Sequence, residues 1–306
     1  MPEWLFTTLL FVVTISLFFI AAHMLDRFVW APKRQREMEA RPRITAEELA
    51  AYWQSLDDAS LPMARVVTSA DELKRAVQSR IGGVPFAASS DVLWPTSRYG
   101  DKMIFIGQVN FSDMPKLDDF PETGLLQIFT SLEASDETGM LSEVDIRFIE
   151  SPEGDDVMAI PDEILTSKSV RRDFSKHVIE LGLPMEFQAH KAMGNPCNHP
   201  FADQSSSFFE RLPENDVVGH ELNNLEDREV AIVENYGSHW IGGQPSFTQF
   251  DIRHDAKFAH LDRVIFHLGA DDGINIGDSG EVNVLINAKY LREKNFEKAI
   301  LTWACC

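Results

Sequence analysis

The chain opens on an unbroken apolar run. From Trp4 to Leu25, WLFTTLLFVVTISLFFIAAHML, no residue carries a formal charge, and the few polar positions recur with neither the period of two of a half-buried strand nor the 3.6 of an amphipathic helix. As a helix the run rises roughly 30 Å, the thickness of a bilayer's hydrocarbon. It predicts one transmembrane helix over residues 4–26, with residues 1–3 as a short extracytoplasmic terminus. A cleaved signal peptide fits less well, because Met1-Pro2-Glu3 brings no Lys or Arg and the run exceeds the ~7 to 15 residues of a signal core.

The pattern then turns polar. Residues 27–61 read as a basic juxtamembrane helical linker, broken at Pro42 and restarted by Thr45-Ala46-Glu47-Glu48, where Thr45 caps a helix and Glu48 closes the capping box. Ser69-Ala70-Asp71-Glu72 repeats that signature and predicts a short helix ending before Arg80. Beyond it, short apolar runs bounded by Gly, Pro, Asp or Ser predict strands: Met103 to Val109, Leu125 to Phe129, and Val144 to Ile149, whose alternation of apolar and charged residues places it towards a sheet edge. Ser167 to Leu181 reads as helix, Asn195 to Ser207 as loop and Val230 to Val233 as a strand, and the chain closes with a helix over Ala288 to Asn295 and a strand over Ala299 to Trp303.

One phrase occurs twice. Ile81-Gly82-Gly83-Val84-Pro85 is echoed by Ile241-Gly242-Gly243-Gln244-Pro245, and each is followed at similar distances by an apolar strand and then a glycine-led strand. Paired glycines admit positive φ and the proline fixes the exit, so both phrases specify a sharp turn. Two such units, each too small to bury both faces of its strands, are expected to share one core. The predicted fold is a single β-rich α+β domain over residues 62–306, with internally duplicated halves at about 79–150 and 239–306, preceded by one transmembrane helix.

Charge sharpens the picture. The chain carries 28 Lys and Arg against 48 Asp and Glu, a net charge of −20. Phosphate backbones need clustered cations, so nucleic acid is excluded as a partner. Arg27, Lys33, Arg34, Arg36, Arg41 and Arg43 crowd the exit of the apolar run. The positive-inside rule therefore places the domain in the cytoplasm, under a bacterial inner membrane crossed once with the N-terminus out. Subtracting the net +3 of Asp26–Arg43 and the −1 of Glu3 leaves −22 on residues 44–306, a strongly acidic body on a basic stalk that anionic headgroups repel. Cys197, Cys305 and Cys306 lack any paired C-x-x-C spacing and make no disulfide framework.

Several phrases taken in order resemble a known family: Ser79 to Pro85, Trp94-Pro95, Phe105 to Val109, Gly124 to Ile128, His190 to Pro196, Ile241 to Pro245, and Asp272 to Gly280. Together they are similar to the YwqG family, a bacterial domain of unknown function, from about Pro62 to Cys306. The resemblance implies a soluble α+β domain with an internal duplication and brings no catalytic residues with it. Two positions depart from the pattern. Ile265-Phe266-His267 stands where the family's strand ends in Gln, and Ile276 replaces an aromatic before Gly-Asp.

No catalytic constellation is present, since H-E-x-x-H, H-x-x-x-H, G-x-S-x-G and the phosphate-binding glycine motifs are all missing. The weak metal candidate is the loop of Asp271, Asp272, Asn275, Asp278 and Glu281, hard oxygen ligands that do not follow EF-hand spacing and read first as a glycine-rich hairpin. His190, His199, His239, His254 and His267 could gather, and Cys197 lies beside His199, yet nothing in the spacing organises them. Gln108, Gln127, Gln244 and Gln249, with Trp94 and Trp240, suit a polar, aromatic-lined groove, against the plainer reading that they satisfy buried backbone. The binding candidates are Gln108, Gln127, His190, His239, Trp240, Gln249 and Asp278. The expected function is a membrane-tethered, non-enzymatic, immunity- or adaptor-like domain that binds a basic protein partner and needs no cofactor. The alternative is a hydrolase or small-ligand enzyme with a cleft between the halves.

Overall fold

In the computed structural model residues 22–33, 36, 44–134, 141–194 and 237–305 are described. They fall into two compact units, one holding the described residues up to Ala50 and the other those from Ala51 onward. The first is helical, with a π-helical turn at Asp26–Trp30 and exposed Met24, Leu25, Phe28, Val29 and Trp30. Most of the predicted span 4–26 lies outside the described residues, among which no helix is long and apolar enough to cross a membrane. Helix α1 (Ala46–Asp58) starts at the expected capping box. The Thr45 amide donates to Glu48 Oε2 at 2.8 Å, and the Glu48 amide donates to Thr45 Oγ1 at 3.1 Å.

Several strands of the second unit are buried on both faces. All seven residues of β3 (Ile104–Asn110) and all six of β9 (Glu281–Ile286) are buried, and a sheet solves that requirement by closing on itself and being covered outside. The others are β1 (Leu61–Thr68), β2 (Arg80–Ile81), β4 (Leu125–Ala134), β5 (Leu141–Ile149), β6 (Leu183–Ala192), β7 (His239–Gly242), β8 (Arg263–Leu268) and β10 (Ile300–Ala304). Neighbours run β1-β6-β2-β3-β4-β5-β10-β9-β8-β7, every pair is antiparallel, and β7 returns to β1. The result is a single β-rich domain, a closed ten-stranded barrel. Its helices α2 (Asp162–Thr166), α3 (Lys168–Asp173), α4 (Lys176–Glu180) and α5 (Ala288–Arg292) are short, so α+β overstates the helical share.

Three local expectations give way to this architecture. β5 lies at no edge: it pairs with β4 on one side and β10 on the other, and its alternation reflects a half-covered outer face. The segment after Ser69 forms no helix, because the carbonyls of Arg75, Ala76 and Gln78 that would continue one accept from the Arg80 guanidinium instead. Residues 167–181 hold two helices, capped by Ser167 and Ser175, because extended Phe174 bridges to Ile274 between them. The loop 195–207 and the strand 230–233 lie outside the described residues.

The two meanders match in detail. Arg80 is register partner to Gln108, which is partner to Gln127; Trp240 is partner to His267, which is partner to Asn283. Each meander carries an irregularity at the same place, between Phe105 and Gly107 and between Val264 and Phe266. Gly82 and Gly83 have φ of 64° and 70°, and Gly242 and Gly243 have 75° and 65°, the left-handed turns that both glycine pairs predict. Along each strand alternate residues part company. Ile81, Ile106, Ile128, Ile241, Val282 and Val284 join the main core cluster. Phe105 and Phe129, and likewise Trp240, Val264 and Leu285, pack in separate clusters, on the face that also bears the two polar rows.

Candidate binding site

In the first half the polar row is consumed by the chain's own backbone. Arg80, 2 % exposed, donates from Nε to Gln78 O at 3.1 Å, from Nη1 to Val84 O at 3.0 Å, and from Nη2 to Arg75 O at 2.7 Å and to Ala76 O. Burial pulls its pKa down to about 10, which leaves it cationic at neutral pH. Gln108 accepts the Phe86 amide on Oε1 at 3.0 Å and donates from Nε2 to Ala76 O and Gln78 O at 2.7 and 2.9 Å. Gln127 Nε2 donates to Phe86 O at 2.8 Å and to Gln108 Oε1 at 3.2 Å. These buried side chains fasten the strap Arg75–Phe86 over the sheet, which is what buried polar groups are kept for when they bind nothing else.

The second half repeats the fastening with different residues. Trp240 Nε1 donates to Gln244 O at 3.0 Å, as Arg80 does to Val84 O. Asn283 Nδ2 donates to Ser246 O at 2.7 Å, as Gln127 does to Phe86 O. The Trp240 indole stacks on the His267 imidazole, with centroids 3.5 Å apart and planes 15° off parallel.

The rest of the row is left open. Because Asn283 uses its amide nitrogen on Ser246, the atom it turns to His267 Nδ1 at 2.9 Å is the acceptor Oδ1. His267 therefore carries its proton on Nδ1. Burial lowers its pKa to about 4, a fall the Asn283 bond only partly opposes, so at neutral pH Nε2 presents a lone pair. That lone pair faces Glu281 Oε2 at 3.8 Å, too far for a hydrogen bond. Glu281 is buried and its pKa is pushed up by burial, against bonds from Thr248 and Ser246; the Thr248 amide donates to Oε1. A cavity of about 380 Å³ lies here, lined by Ser238, Trp240, Ser246, His267, Gly269 and Glu281 among others.

The sequence candidates scatter around this site. Gln108 and Gln127 belong to the first row and Trp240 to the second. His239 precedes Trp240 and so belongs to the other face of β7. It is 2 % exposed, neither ring nitrogen meets a hydrogen-bond partner among the described residues, and burial first, then nearby His267, lowers its pKa to about 4. His190 and Asp278 are exposed, the first on β6 and the second in the loop before β9. Gln249 is exposed and donates to Cys305 O at 2.6 Å; Gln244 donates to Ala59 O and Trp94 to Met103 O. Cys197 and His199 lie outside the described residues.

The acidic loop behaves as a hairpin. Asp271 accepts from the Asp272 amide and from Ser238 Oγ, Asp272 from Thr68 Oγ1, and Asn275 from the Ser279 amide. Among the described residues no three His, Cys, Asp or Glu side chains converge as metal ligands do. Neither Arg80 nor Asn283 stood out in the sequence as a site residue. The signal for both was positional: each follows from aligning the two glycine turns and counting along the paired strands.

With the geometry in hand, a family model described as a domain of unknown function, DUF1963, matches residues 79–305, a stretch that contains both rows. A comparison with curated proteins found no match.

Proposed function

We propose that this chain, which belongs to the DUF1963 family of domains of unknown function, is a non-enzymatic interaction domain with duplicated halves, held at a membrane by its apolar run 4–26 and binding a basic protein partner in the cytoplasm. The finer resemblance, to the YwqG family, rests on the ordered motifs from Ser79 to Gly280. One observation carries the binding reading: the first half uses its buried polar row on its own backbone, whereas the second half leaves a buried carboxyl, Glu281, at a cavity. The surplus of acid on residues 44–306 favours a basic partner by complementary charge. A tether would raise that partner's effective concentration at the membrane, and the exposed apolar side chains of Met24 to Trp30 suit the end of such a tether.

The enzymatic alternative places a cleft between the halves. The cavities beside buried titratable groups lie elsewhere, about 380 Å³ at His267 and Glu281 and about 560 Å³ at Arg80, and the halves are joined by pairing of β5 with β10. Crosslinking in intact membranes followed by mass spectrometry tests the proposal. It should recover a recurrent basic protein; recovery of nothing above background overturns it. Protease added to spheroplasts should leave the domain intact, and its digestion would overturn the cytoplasmic placement.

A further inference from the structure

We infer that the cavity of the second half receives a guanidinium group, the head of an arginine side chain on the partner, between His267 Nε2 and Glu281 Oε2. The inference deepens the interaction reading and rests on it for the identity of the arginine's owner.

The acceptors of this cavity are mismatched. His267 Nε2 is an acceptor, Glu281 Oε2 lies 3.8 Å from it and is an acceptor too when the carboxyl is ionised, and the Asn283 bond prevents the imidazole from reversing its tautomer. Two facing acceptors in a buried site repel unless a donor enters between them. Ser246 and Thr248 already bond the Glu281 carboxyl, and the other nearby donors are turned elsewhere. The Thr248 amide meets the other carboxyl oxygen, the Trp240 indole N–H meets Gln244 O, and Ser238 Oγ donates to Asp271.

The counterpart position points the same way. In the first half the same place on the fold already holds a guanidinium, that of Arg80, with its N–H groups on four carbonyls. In the second half Trp240 takes that position. It reproduces the bond to residue 244 but has no further donor, and about 380 Å³ beside it is open. A guanidinium has several N–H donors fixed in one plane, so it can serve an imidazole nitrogen and a carboxylate oxygen together, and its face suits an indole wall. Glu281 supplies the opposite charge. Arg65 packs against Gly237 on the cavity's lining and supplies the contrary expectation, an anion.

Calorimetric titration of the full chain in detergent with methylguanidinium, and separately with acetate, tests this. Methylguanidinium should bind and acetate should not. Glu281→Gln keeps the volume and an acceptor for the Thr248 amide, so it should fold; it should weaken methylguanidinium binding at least tenfold. His267→Gln, which restores the residue type of the first half, should weaken it severalfold. Unchanged binding in a folded Glu281→Gln protein, no binding of methylguanidinium, or preference for acetate would each overturn the inference. The two readings separate cleanly. A partner captured at the membrane whose association survives Glu281→Gln keeps the interaction domain and removes the cavity assignment. Methylguanidinium binding with no partner captured does the reverse.

Discussion

The rows Arg80-Gln108-Gln127 and Trp240-His267-Asn283 occupy the same register positions, beside the same bulges and glycine turns, and do different things. The first is bonded to its own backbone, although a cavity of about 560 Å³ reaches Arg80. Its donors and acceptors are matched to the strap Arg75–Phe86, and its only charge is satisfied by carbonyls. The second keeps two of the equivalent fastenings, through Trp240 and Asn283, and turns His267 Nε2 towards Glu281 across 3.8 Å at a cavity. A fold that repeats itself holds a control within one chain. What both halves share is explained by the architecture, and what only one half has is the place to look for function.

Substitution should separate the rows most sharply at Arg80. Arg80→Ala strips a buried cation from four carbonyls and leaves a void, and should cost about 3 to 5 kcal/mol in denaturant unfolding. Glu281→Gln, in the open row, should cost less than about 1 kcal/mol; equal losses would erase the distinction.

Acid comes next, and it acts on one row only. His267, and His239 on the opposite face of β7, have folded pKa values of about 4 against 6.5 ordinarily. As pH falls through 6.5 the unfolded chain takes up protons that the folded chain refuses, so stability drops until about pH 4, by about 3 kcal/mol for each histidine. Glu281, with its pKa raised by burial, acts in the opposite sense, losing stability as pH rises through the ordinary carboxyl range. His267→Gln should flatten the acid slope by about half, as the glutamine-bearing first row has no such slope. An unchanged slope in that variant would place the titration elsewhere.

The glycine turns differ by a smaller margin. A Cβ on Gly82 would stand 2.2 Å from the backbone oxygen of Val178, whereas one on its counterpart Gly242 would meet the backbone oxygen of Pro62 at 2.8 Å and the Leu117 side chain at 2.9 Å. Both alanines would also sit at positive φ, so Gly82→Ala should cost about 3 kcal/mol and Gly242→Ala about 2. The smallest effect belongs to Gln249, exposed and bonded to Cys305 O. Gln249→Ala should stay within about 0.5 kcal/mol, while Gln127→Ala, which frees Phe86 O inside the first row, should cost about 2.

Much of this organisation was legible before any coordinates. The strands around Ile104 and Leu125 announced themselves as apolar runs, the glycine pairs as turns, and the Thr45 box as a helix start, because each is set by local residues. Barrel closure was not legible. β5 reads as an edge, since alternation records a half-wet face and says nothing about whether a second neighbour, here β10, is present. The helix expected after Ser69 failed because a capping signature cannot show that Arg80, beyond its end, competes for the carbonyls of Arg75, Ala76 and Gln78. At the site, Gln108, Gln127, Trp240 and the departure at His267 were visible as residues. Their roles were not, because the tautomer of His267 depends on Asn283 across a strand pair and on Ser246 beyond it.

The central claim, that the second row turns an imidazole lone pair towards a cavity where the first row is bonded to its own backbone, comes down to the protonation of one ring. Long-range proton–nitrogen NMR of the histidine side chains at neutral pH should show His267 neutral, protonated on Nδ1 alone, titrating near pH 4, and with an Nε2 resonance that moves when methylguanidinium is added. An imidazolium at neutral pH, or a ring protonated on Nε2, would contradict it.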